Sequence, residues 1–152
     1  MLVIFFGPSC SGKSSVAEIV AERTGASVWT GKDYLRLAKN PSVAWTEFVS
    51  LLTAAARQPE LEKDSVIYVV TGIPEIRIDV PEPVYLKRIR FTADIETLKS
   101  RFAPRTGGHV PPPVAAMLER TKAAVESEPA DRVFDTGDAD AGDIADAILS
   151  DL

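Results

Sequence analysis

Gly7-Pro8-Ser9-Cys10-Ser11-Gly12-Lys13-Ser14 decides how this 152-residue chain is read. Its spacing is G-x-x-x-x-G-K-[ST], and both flanks suit it. Five apolar residues, Leu2 to Phe6, precede it as a buried strand, and a helix-compatible stretch over 14–23 follows. A strand, a glycine-rich turn and a helix N-terminus point consecutive backbone N–H groups at one place, where they hold an anion. The predicted phosphate-binding residues are therefore Gly7, Pro8, Ser9, Cys10, Ser11, Gly12, Lys13, Ser14 and Ser15. At this spacing Lys13 reaches the outer phosphates of a nucleotide, and the Ser14 hydroxyl can bind magnesium. An ordinary strand–helix turn would not place a lysine in the first helical turn, where the helix dipole disfavours cations.

The bulk composition narrows the class. The length suits one domain, taken as 1–152, and the 45% apolar and 26% charged fractions are those of an ordinary globular protein. No apolar run approaches the ~20 residues of a membrane span. The LVIFF run is too short for a signal-peptide core and has no basic residues before it. A lone cysteine, Cys10, suits a reducing cytosol, so the expected location is cytoplasmic. With His109 the only histidine, no His- or Cys-rich metal cluster can form. The net charge of −5 is uneven. Residues 126–152 hold nine acids and one base, leaving +3 on 1–125. An acidic chain without a basic stripe argues against nucleic acid as a partner. Neither a membrane nor a nucleic acid is expected, and the protein is expected to be a monomer or homodimer.

Along the chain, strands alternate with helices. Strands are predicted over 2–6, 27–30, 65–71, 84–91 and 132–136. Helices are predicted over 12–24, 33–39, 43–57 with Ser42 as cap, 93–102, 114–127 and 141–149. Pro41 reads as an interruption, and residues 75–83 as irregular or extended. Trp45 and Phe48 share one helix face and read as core rather than as an acceptor pocket. This alternation predicts an α/β fold, a three-layer arrangement with a parallel sheet between two helical layers. Ligands of such sheets bind beyond the carboxyl ends of the strands. The informative segments are then 7–14, 30–36, 71–77 and 136–138.

Those segments carry a family likeness. Thr30-Gly31-Lys32-Asp33-Tyr34-Leu35-Arg36 resembles the T-G-D-x-L-R segment of adenylate kinases, with one extra residue. Val69 to Glu75 resembles their D-G-F-P-R segment, and its Thr71-Gly72 is equally similar to part of the A-T-G-G of shikimate kinases. Leu98-Lys99-Ser100-Arg101 through Arg105 looks like the helix end and lid that carry arginines onto ATP. Residues 113–120 and 130–136 resemble the end of shikimate kinases. The chain thus resembles the small P-loop kinases, a P-loop NTPase group holding nucleoside monophosphate, shikimate and gluconate kinases. The resemblance implies ATP and Mg²⁺ as cofactors, a lid at about 101–113, and an acceptor-binding segment at about 31–64. It nominates Arg36 as the acceptor anchor and places an adenine loop at Thr136-Gly137-Asp138. Two departures stand out. The helix usual between the third and fourth strands is absent, and Thr71 stands where an acid normally positions magnesium.

Phosphoryl transfer asks a protein to position two substrates and neutralise the moving charge. Lys13, Arg101 and Arg105 are the candidates for neutralisation. The two arginines would share a face if the helix continued to Arg105. Asp33 can serve as general base, hold a magnesium-bound water beside Ser14, or simply cap a helix. Arg36 and Arg120 are the further candidates for acceptor contact, with Asp33. The expected activity is transfer of the γ-phosphoryl of Mg-ATP to a nucleoside monophosphate or a small hydroxylated metabolite. The alternative is a nucleotide-binding regulatory module with slow hydrolysis and a protein partner. The missing acid favours that alternative; the lack of a guanine-specifying N-K-x-D opposes it.

Overall fold

Strand β1 (Leu2–Gly7) is buried at all six positions, because it lies mid-sheet and is covered on both faces. The computed structural model describes residues Met1 to Leu152. Strands β2 (Ser27–Thr30), β3 (Val66–Thr71), β4 (Leu86–Thr92) and β5 (Arg132–Asp135) complete a parallel sheet of order β2-β3-β1-β4-β5. The helices are α1 (Lys13–Thr24), α2 (Pro41–Ala55), α3 (Ile95–Phe102), α4 (Pro112–Glu126) and α5 (Ala141–Asp151).

The period-2 alternation of β1 sends its residues into two cores. Val3 and Phe5 pack with Val16 and Val20 of α1 and Ile144 and Ile148 of α5. Leu2 and Ile4 pack with Phe48 and Leu52 of α2 on the opposite face. Helices on both faces of a parallel sheet are the expected three-layer fold. No helix is long and apolar enough to cross a membrane.

The same alternation explains the basic residues of β4. Ile89 and Phe91 are buried on the α1/α5 side, so Arg88 and Arg90 project to the other face, beneath α4. Arg90 Nη1 donates to the carbonyls of Val125 at 3.0 Å, Glu126 at 2.5 Å and Glu128 at 3.1 Å. Val125 and Glu126 end α4 and Glu128 lies just beyond it; the Val125 carbonyl also accepts from the Glu128 N–H at 3.1 Å, and the guanidinium closes the helix end over all three. Arg88 pairs with Glu128 at 2.7 Å and lies 5.5 Å over the Phe6 ring.

Several boundaries differ from the sequence reading. Pro41 opens α2 rather than interrupting the chain, and the cap is Asn40, not Ser42. The Asn40 side chain accepts from the N–H of Ser42 at 2.9 Å and of Val43 at 3.2 Å. Helix α4 likewise opens on Pro112, ahead of the predicted residue 114. The predicted helix 33–39 is one 3-10 turn, Asp33–Arg36. Residues 73–85 form no helix, as expected, and their Ile76, Ile78 and Val84 pack on the α2-side core. Phe48 is fully buried, with ring centroids of Tyr68 at 5.0 Å, Trp29 at 5.3 Å and Trp45 at 5.9 Å. This aromatic group is core, as the helix face suggested.

Candidate active site

At the end of β1 the chain turns through residues only a flexible backbone tolerates. Gly7 has φ 151°, and a Cβ there would lie 2.3 Å from the Phe91 carbonyl oxygen. Cys10 at φ 63° and Gly12 at φ 90° complete the left-handed turn into α1. Gly12 caps α1 without a side-chain hydrogen bond, and the first turn carries no acid. The leading amides of the helix therefore have no side chain competing for them, which is the arrangement an anion needs.

Lys13 folds back over this loop. Its ammonium donates to the carbonyls of Gly7 at 2.9 Å and Pro8 at 2.7 Å and lies 3.4 Å from the Ser11 hydroxyl, with 5% of the residue exposed. Burial is the main reason its pKa falls to about 8; the nearby Arg105 charge pushes the same way and Cys10 opposes it. Ser14 and Ser15, the next two residues in the same first turn, are exposed.

A cleft of about 970 Å³ opens over the carboxyl ends of β1, β2 and β3. It runs from Ala139 and Ala141, where α5 begins, along the loop to Lys32, Asp33 and Thr71. Ser9 to Ser15, Asp33, Arg101 and Arg105 all line it, while Gly7 and Pro8 lie beneath and shape it. Arg36 and Arg120 do not line it. Arg36 is exposed, its guanidinium 5.6 Å over the Trp29 ring and its Nε 3.3 Å from the Asp33 carbonyl. Arg120 projects from the exposed side of α4.

Helix α3 stops at Phe102, so Arg101 and Arg105 do not share a helical face. Arg105 sits on a 3-10 turn, Ala103–Thr106, 5.5 Å over the Phe102 ring. Arg101 instead spans the rim of the cleft. Its Nη1 donates to the Cys10 carbonyl at 3.0 Å and the Thr136 hydroxyl at 2.8 Å, and its Nη2 donates to the Thr136 carbonyl at 2.9 Å.

Asp33 opens its 3-10 turn and is anchored at one oxygen. Oδ2 accepts from the Thr30 N–H at 2.9 Å and the Thr30 hydroxyl at 3.0 Å, with Arg36 at 4.0 Å. The Thr30 N–H above all holds this carboxyl below the usual aspartate range, helped by the Thr30 hydroxyl and Arg36. Oδ1 makes no protein hydrogen bond and can accept one.

The sequence reading missed the side chains of Lys32 and Thr136 and the Ala139–Ala141 edge of the cleft. Thr136 directly follows the last strand, and that position was its one available signal. Its hydroxyl donates to the Ser11 carbonyl at 2.9 Å, tying the β5–α5 turn to the phosphate loop.

No protein-family model matches this sequence, and no curated protein does. Solved structures do. A sugar kinase from a Janibacter species is 18% identical, covering 98% of this chain and 92% of its own at a TM-score of 0.61. A shikimate kinase from Acinetobacter baumannii, solved with shikimate, is 13% identical, with 98% and 90% covered and a TM-score of 0.63. A gluconokinase from Sinorhizobium meliloti is 18% identical, with 97% and 89% covered and a TM-score of 0.57. The fold is that of the small P-loop kinases. At such identities the likeness establishes architecture, and chemistry must be argued from the cleft.

Proposed function

We propose that this protein is a small-molecule kinase that transfers the γ-phosphoryl group of Mg-ATP to a hydroxyl of a small acceptor held beside Asp33 and Thr71. The carrying observation is that one cleft joins the uncapped start of α1, the buried Lys13, two arginines and, at its far end, a carboxylate with a free oxygen. The loop amides and Lys13 would hold the β- and γ-phosphates, with the nucleoside directed toward Thr136 and Ala139. Arg101 and Arg105 would offset charge on the transferred group. Asp33 Oδ1 would orient the acceptor hydroxyl, which a loose transfer needs more than it needs a strong base. For turnover Lys13 must exchange the Gly7 and Pro8 carbonyls for phosphate oxygens.

The residues fit magnesium of the water-rich kind, which takes one or two protein ligands plus substrate phosphates. Ser14 supplies an exposed hydroxyl, Asp33 a carboxylate able to act through water, and no cluster of three acids competes. The ion would supply neutralisation of the phosphate charge. The acceptor end favours a hydroxyl compound over a nucleoside monophosphate. Lys32 is the only basic side chain among Thr30, Gly31, Lys32, Asp33 and Thr71, whereas Arg36 and Arg120 lie outside the cleft. A nucleotide's phosphate would call for arginine forks there. Thr71 in place of an acid also suits the regulatory reading, in which water is the sole acceptor.

Asp33→Asn separates these readings. It keeps the shape and should lower kcat by about 10²-fold or more with ATP affinity little changed. Unchanged kcat would remove Asp33 from the reaction, and phosphate release to water alone, across panels of hydroxyl compounds and nucleotides, would favour the regulatory module. Lys13 also predicts a pH dependence. Its pKa of about 8 must rise when phosphate oxygens surround it, so binding takes up a proton at alkaline pH. Above pH 8, where free ATP no longer titrates, affinity for magnesium-free ATP should fall, by up to about tenfold per pH unit. A flat profile to pH 9.5 contradicts this.

A further inference from the structure

We infer that the Thr136 hydroxyl is a positioning residue for nucleotide binding, setting Arg101 and the phosphate loop in one arrangement; this rests on the proposed use of the cleft for ATP. Three segments distant in sequence meet at this side chain. The hydroxyl accepts from Arg101 Nη1 at 2.8 Å and donates to the Ser11 carbonyl at 2.9 Å, with the Thr92 carbonyl at 3.3 Å as a second acceptor. The Thr136 N–H is spent on the Thr92 carbonyl at 2.9 Å, which fixes the residue to the end of β4. Its methyl carbon lies 3.1 Å from where a Cβ on Gly12 would stand, so the side chain also seats against the left-handed turn into α1.

This task needs a group that both accepts and donates, which a hydroxyl does and a methyl does not. Arg101 also holds the Cys10 carbonyl, so arginine, hydroxyl and loop form a closed ring of contacts: Cys10 carbonyl, Arg101, Thr136, Ser11 carbonyl. The carbonyls of residues 10 and 11 are thereby held by Arg101 and Thr136; the Ser11 N–H turns back to the Pro8 carbonyl at 3.3 Å, and the Gly12 N–H, trans to the Ser11 carbonyl, points away from Thr136. Breaking the ring at Thr136 frees an exposed arginine and a loop that φ 63° at Cys10 already strains.

The test compares Thr136→Val, which keeps the shape and loses the hydroxyl, with Thr136→Ser, which keeps the hydroxyl and loses the methyl. Two readouts are taken: amide hydrogen exchange over 9–13 and 101–106 in nucleotide-free protein, and MgADP affinity by calorimetry. The valine variant should exchange faster in those two segments only and bind MgADP about tenfold more weakly, since hydrogen bonds to a charged group are at stake. Serine should restore both to near wild type, and KM for the acceptor should stay unchanged in either variant. Wild-type exchange and affinity in the valine variant would overturn the inference. Equal impairment in valine and serine would also overturn it, by assigning the effect to methyl packing. If wild-type protein binds no nucleotide, the proposed function fails, and the exchange comparison still decides whether Thr136 orders the loop.

Discussion

Lys13→Ala is expected to lower kcat by about 10³-fold while the protein stays folded. The ammonium lines the cleft, 5% of the residue exposed, with its donors on the Gly7 and Pro8 carbonyls. Removing one preorganised donor from such a site costs roughly 10²–10³ in rate, and losing a cation that meets charge on a transferring phosphoryl group costs roughly 10³–10⁵. Stability should change little, because the lost hydrogen bonds are offset by removing a desolvated charge, whose burden the lowered pKa records. Lys13→Arg should fare almost as badly, since a planar fork cannot replace a compact ammonium in this space. Initial rates at saturating ATP, with thermal unfolding as the control, check this. Turnover within about threefold of wild type would remove Lys13 from the reaction.

Gly7→Ala carries the largest expected effect on stability. The added Cβ would meet the Phe91 carbonyl oxygen at 2.3 Å and the Ser11 Oγ at 3.1 Å. The carbonyl belongs to β4, which is locked beside β1 at the centre of the sheet, so neither strand can move aside cheaply. The backbone at φ 151° adds strain that glycine escapes. Overpacking and strain together come to about 3 kcal/mol or more. For a chain of this size that means a melting temperature lower by roughly 6–12 °C, measurable by calorimetry. An unchanged melting temperature would mean that the close approach of β1 and β4 is wrongly described.

Much of this architecture was legible because it rests on short-range rules. The octapeptide from Gly7 to Ser14 names its own geometry, and the apolar runs of β1 and β3 announce strands covered on both faces. Less legible were features that depend on what tertiary structure brings near. Pro41 looked like a break, and Pro112 fell just outside the predicted helix, because proline ends helices as readily as it starts them; the deciding fact at Pro41 is the Asn40 side chain reaching two amides. Arg88 and Arg90, two basic residues in an interior strand, are accounted for only by the carbonyls at the end of α4 and by Glu128 just beyond it. Within the site, the loop, Asp33, Arg101 and Arg105 meet in one cleft, whereas Arg36 and Arg120 stay outside it. Arg36 is held by Trp29 and its own turn, a contact no local pattern encodes. Thr136 was invisible as a side chain because its partners lie 35 and 125 residues away.

The central claim is that the amides opening α1, together with Lys13, grip the polyphosphate of a nucleotide. A crystal structure with magnesium and a non-hydrolysable ATP analogue tests it most directly. The β- and γ-phosphates should lie against the amides of residues 10–15, with Lys13 Nζ moved from the Gly7 and Pro8 carbonyls onto phosphate oxygens. A triphosphate bound elsewhere, with Lys13 still on those carbonyls, would contradict the claim.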